Sequence, residues 1–106
     1  MKILFDTCVP RPLFRALVGH EVKRAQELGW GELRNGNLLT ATENADFDVF
    51  ITADQNLGYQ QHLQGRRLAI LLLPTNSWPL LRKMTDAIAQ AVNDLRLGDY
   101  RELPSS

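Results

Sequence analysis

One cysteine, Cys8, is all that the 106 residues contain. An internal disulfide is therefore excluded, and a reducing cytoplasm is the expected setting. Net charge is missing as well: Lys plus Arg and Asp plus Glu each number 12, so the chain as a whole sets up no field that would draw it to nucleic acid or lipid. Binding of that kind has to come from charge gathered on one face. No apolar stretch approaches the ~20 residues that a membrane helix needs, so no membrane partner is expected. The opening MKILF meets Asp6 too soon to be the apolar centre of a signal peptide. The two histidines, His20 and His62, have no second nitrogen or thiolate at ligand spacing, and surface or capping roles suit them better than zinc. Glycine loops of the P-loop or dinucleotide type are lacking. Cys8 and Arg15 stand one residue too far apart for a phosphatase loop, which leaves Cys8 as a small apolar side chain packed on a sheet.

What is present is the composition of a folded protein, 44% hydrophobic and 23% charged, in a chain long enough for a single domain over residues 1–104. KILF reads as a buried strand, and Pro10-Arg11-Pro12 turns it into a helix over Arg11 to Val18 with Leu13, Phe14 and Leu17 facing inward. His20 to Lys23 is a second strand, and Ala25 to Asn35 a short helix and loop. Asn35-Gly36 opens a helix to about Ala45, followed by a third strand from Asp48 to Thr52. Leu57, Tyr59 and Leu63 mark a short irregular helix. Leu68 to Leu73 is an unbroken apolar run, as in a strand covered on both faces. Ser77 then caps one long helix from Trp78 to about Leu97, and Tyr100 to Leu103 is a last strand. Repeats, low-complexity runs and linkers are absent.

Strands alternating with helices predict an α/β fold, a three-layer sandwich around a small, mostly parallel sheet of four or five strands. Sites in such folds form where the strands end and the connecting loops diverge. Asp6 follows the first strand, Asp54 the third, and Thr75-Asn76-Ser77 the fourth, so all reach one edge. Asp48 begins its strand and lies roughly 13 to 16 Å from that edge at ~3.3 Å per residue, which makes it structural. Two carboxylates converging from separate strands suit a hard cation such as magnesium, which keeps several waters and takes further ligands from phosphate. The plainer alternative is that each Asp forms a turn or caps a helix. Two like charges brought together without a cation would repel, and that counts against the plainer alternative for the pair. Arg11, Arg34, Arg82 and Lys83 fall near the same edge and could hold a phosphate backbone, or form an ordinary solvated surface. Trp30 and Trp78 adjoin apolar runs and are expected in a core or interface rather than against bases.

The KILFD start with Pro-Arg soon after, the GHEV and ELGW segments and the ITADQNL segment together resemble the compact PIN-like domains. That group includes VapC-type toxins and a set of small bacterial proteins of this length. The motifs cover Met1 to about Leu73, and the layout alone extends the likeness to Leu103. The resemblance implies a magnesium- or manganese-dependent ribonuclease with three or four acidic residues at one sheet edge, Asp6 and Asp54 among them. It also implies single-stranded RNA as substrate and a small antitoxin protein as partner. This chain departs from the pattern in three places. Asn37 stands where relatives carry an acidic residue, Thr7 where many have Glu or Asp, and Thr75, Asn76 and Ser77 where some add a last carboxylate. An amide coordinates through its oxygen but brings no charge, so one weakly held ion is the most that this set implies. Glu43 would face away from Asn37 on a helix of about 100° per residue.

Three functions fit these residues: a metal-dependent ribonuclease with Asp6, Asp54 and Asn37 at its centre; a PIN-like module that has lost catalysis and binds nucleic acid or protein; and a phosphoacceptor receiver. A receiver needs a lysine on its last strand, and Tyr100 to Leu103 has none. Leu80 and Trp78 also widen the apolar surface at the start of the last helix, next to Arg82 and Lys83, which predicts a homodimer or partner contact there.

Overall fold

Five short strands lie side by side in one sheet, and the three central ones supply seven of the twelve largest fully buried side chains. The computed structural model describes residues 1–56 and 65–105. Strands β1 (Lys2–Phe5), β2 (Glu21–Arg24), β3 (Val49–Thr52), β4 (Ala69–Leu72) and β5 (Tyr100–Glu102) are all parallel, in the spatial order β2-β1-β3-β4-β5. The α/β class and the parallel sheet are thus as the sequence leads one to expect.

Period-two alternation divides each central strand between two cores. Ile3, Phe5, Val49, Ile51, Ala69, Leu71 and Leu73 point to the first face, where they meet Leu13, Leu17, Leu81, Ile88 and Val92. Leu4, Phe50, Leu68 and Ile70 point to the second, under Leu38, Leu39 and Phe47. Both faces are covered, which is why β3 and β4 read as uninterrupted apolar runs. Trp30 packs on the second core and sets its ring edge against Phe47, with centroids 6.2 Å apart. Trp78 packs on the first.

The first connection differs from the expected helix. Arg11–Ala16 is a 3-10 helix, and Phe14, expected to face inward, is 45% exposed. With three residues per turn, positions three apart eclipse one another, so Leu13 and Ala16 share the inner side while Phe14 swings out. A second 3-10 helix, Ala25–Leu28, precedes helix α1 (Asn35–Asn44). The expected single helix from Trp78 to Leu97 is three pieces: α2 (Trp78–Leu81), a 3-10 turn (Arg82–Met84) and α3 (Thr85–Asp94). Met84, at φ −115° and ψ 12°, leaves helical geometry and re-aims the chain, and Ser77 occupies the cap position without a side-chain cap bond. Beyond α3, Gly98 takes φ +86°, a left-handed turn that glycine enters without steric cost, and the chain enters β5. The helix expected around Leu57, Tyr59 and Leu63 lies outside the described residues.

The connections do not share one hand. β1 to β2 steps toward one edge across the first face, and β2 to β3 steps the other way across the second, so these two have the same hand. β4 to β5 steps in the direction of β2 to β3 but crosses the first face, because α3 packs beside the Arg11–Ala16 helix. Its hand is therefore opposite. With the first two in the near-universal right-handed sense, the last is left-handed. No helix among the described residues is long and apolar enough to cross a membrane.

Candidate functional site

Asp6 continues the sheet one residue past β1: its N–H donates to the Ile51 carbonyl at 2.9 Å, which sets its carboxylate beside the end of β3. There the Thr52 hydroxyl, fully buried, donates to Asp6 Oδ2 at 2.7 Å, and the Thr7 N–H donates to Asp6 Oδ1 at 2.7 Å. The same Thr52 oxygen accepts the Asp54 N–H at 3.1 Å. One hydroxyl thus ties together the two segments that carry the carboxylates. Asp54 Oδ1 accepts the Asn56 N–H at 3.0 Å, an Asx turn, and its Oδ2 has no hydrogen-bond partner among the described residues. The turn thus engages one oxygen of Asp54, in a residue that lines a cleft.

Cys8 belongs to this cluster. Its sulfur lies 3.7 Å from both Asp6 Oδ2 and Thr52 Oγ1 and accepts the Ala53 N–H at 3.4 Å. Burial, and secondarily the Asp6 charge, push the thiol above its ordinary value. The thiol is therefore protonated at neutral pH and donates toward Asp6.

Asp6, Thr7, Cys8 and Asp54 open on a cleft of about 420 Å³, with Thr52 buried behind them. Asp6 and Asp54 supply its negative charge, Gln55 and Asn76 its amides, and Leu33 and Leu38 an apolar wall. The Gln55 amide is fixed by donating to the Leu73 carbonyl at 2.7 Å and the Ala53 carbonyl at 3.2 Å. The cleft stands where the strand order reverses, between β1 and β3, the place where parallel α/β sheets bind ligands.

Of the four expected cations only Arg34 lines the cleft, and its guanidinium donates to the Gly31 carbonyl at 2.9 Å and the Leu33 carbonyl at 3.1 Å. Arg11 lines a separate cavity with Phe14, Val22, Arg24 and Glu27. Arg82 and Lys83 are exposed in their 3-10 turn and outside the lining. Asn37, exposed in the first turn of α1, is also outside it. Thr75 folds back instead, its hydroxyl accepting the Ser77 N–H at 3.1 Å, while Asn76 reaches the cleft. Asp48 is structural: its carboxylate accepts the Lys2 N–H at 2.8 Å at the opposite edge. Glu43 is structural too, accepting the Arg67 and Leu68 N–H groups at 2.6 and 3.1 Å.

Thr52 and Gln55 are the site residues that the sequence does not announce. A signal was present for Thr52, a hydroxyl closing an otherwise apolar buried strand two residues before Asp54. Among the described residues no group of three or more His, Cys, Asp or Glu gathers as a metal set. The donors lining the cleft are oxygens of two carboxylates, of the Thr7 hydroxyl and of two amides, beside the protonated Cys8 thiol, which fits one hard cation with a largely aqueous shell. Compared with protein-family models, with curated proteins and with solved structures, the chain matches none of them.

Proposed function

We propose that the cleft is a PIN-like phosphodiesterase site, dependent on one weakly held magnesium or manganese ion and acting on single-stranded RNA. The observation that carries this is the meeting of Asp6 and Asp54 in one cleft at the reversal of strand order, tied by Thr52. Asp6 and Asp54 would hold the ion, with Asn76 and waters completing its shell. Such an ion supplies Lewis-acid stabilisation of a phosphate oxygen and a more acidic bound water. Thr52 orients Asp6 and fixes the start of the Asp54 turn. Arg34, released from its backbone carbonyls, pairs with a phosphate, and Leu33 and Leu38 shelter the adjoining nucleotide from water. A cytoplasmic toxin held in check by a small antitoxin protein is the setting that we assign to this activity.

The test joins stability and cleavage. Millimolar magnesium or manganese raises the melting temperature by mass action, and Asp54→Asn removes both that rise and the cleavage of single-stranded RNA. An unchanged melting temperature across the metal series contradicts the site. A second function, RNA binding without cleavage, is favoured by the two-carboxylate count. Asn76→Asp separates the two, because a third carboxylate in the cleft strengthens cleavage by a weakened nuclease and does nothing for a pure binder. The receiver shares this strand order. It is disfavoured by Arg101 in place of a lysine on β5 and by the Ser77 turn that occupies Thr75.

A further inference from the structure

Strand β2 bonds to β1 on one side, and no strand among the described residues pairs with its other side. The Glu21 N–H donates to the Met1 carbonyl at 3.0 Å, so the backbone groups of Glu21 and Lys23 turn inward and those of Val22 and Arg24 turn outward. The Arg24 N–H is already taken by Glu27 Oε1 at 3.3 Å. Val22 is left with an outward donor and acceptor at the middle of the free edge. Beside it on the first face, Phe14 and Val18, the latter 88% exposed, border an open cavity of about 520 Å³. On the second face Glu21 and Lys23, both exposed, stand one residue either side of Val22.

We propose that β2 pairs antiparallel with β2 of a second copy of this chain, about a twofold axis through Val22, making one continuous sheet of two domains. The charge pattern selects a copy of itself as the occupant. With Val22 opposite Val22, Glu21 of each copy faces Lys23 of the other, two opposite-charge pairs related by the axis. Two neighbouring registers also align outward groups: one centred on Lys23 sets Lys23 against Lys23 and requires the Arg24 N–H that Glu27 holds, and one centred on Glu21 sets Glu21 against Glu21 and requires the His20 N–H that the Leu17 carbonyl holds. Free amide and charge thus choose the same register. The Phe14 and Val18 patches of the two copies fall on one face of the joint, and the two clefts open on opposite edges of the sheet.

Sedimentation velocity of the intact chain over a concentration series tests this, with circular dichroism to confirm folding. The wild type shows a concentration-dependent dimer. Glu21→Lys and Lys23→Glu each sediment as monomers, since every cross-axis pair becomes like-charged, and the double variant recovers the dimer. Val22→Pro removes an outward N–H and breaks no bond to β1, and it also yields a folded monomer. A wild type that stays monomeric at every concentration overturns the proposal, including one whose edge captures a strand of a different protein. So does a dimer indifferent to both single reversals and to Val22→Pro.

Discussion

Thr52 is the residue on which the cleft turns. Its hydroxyl donates to Asp6 and accepts from the Asp54 backbone inside a fully buried setting. Thr52→Val keeps the shape and deletes both bonds, leaving a carboxylate oxygen and an N–H short of a partner. A loss of about 1–3 kcal/mol is expected in urea denaturation, together with loss of any metal-dependent rise in melting temperature. Cys8 gives a pH signature. Its folded thiol titrates above the ordinary 9.0, so the unfolded chain sheds this proton first as pH rises. The contribution to stability is intact below 9.0 and is lost as pH climbs from there through the folded value. Denaturation across that window should show a decline that Cys8→Ala lacks, and a thiol reagent should label the native protein slowly at neutral pH. The carboxylates were legible because an Asp just past a strand has a fixed address in a parallel sheet. Which cations reach them was not legible, because Arg11, Arg82 and Lys83 depend on the path of the connections rather than on strand order.

At the scale of elements, apolar runs and the turns that bound them located every strand among the described residues to within a residue or two, and α1 likewise. Helix type was harder. Leu81, Ile88, Ala91, Val92 and Leu95 keep a buried stripe through a break at Met84, since both pieces lie on the same core. Periodicity reports the face that is buried and is blind to a turn that preserves it. The two apolar residues at the start of that helix differ in burial. Trp78 is half-buried against the first core, whereas Leu80 is 53% exposed. Trp78→Ala should therefore destabilise the fold, approaching the low end of the ~3–5 kcal/mol range for a fully buried tryptophan. Leu80→Asp should stay within about 0.5 kcal/mol of the wild type. Chemical denaturation of the two single variants decides this, and equal losses would place Leu80 in the core.

The left-handed final connection sets the behaviour of the whole molecule. Sheet twist favours the right-handed return of a chain to its sheet, so β5 lacks that help and is held by the docking of α3. Among the described residues β4 is the one strand that pairs with it. Native-state hydrogen exchange should show the Leu103 N–H, bonded to the Leu72 carbonyl, and the Ile70 N–H, bonded to the Asp99 carbonyl, opening before the interior bond from Leu73 to Thr52. Uniform protection of all three amides would contradict this. When β5 peels away, the strand laid bare is Ala69–Leu72, every residue of which is buried in the native state. A flat apolar edge of that kind templates intermolecular pairing. The shortest strand is thus the guard against aggregation, and conditions that loosen it, well short of unfolding, are those under which this protein should come out of solution.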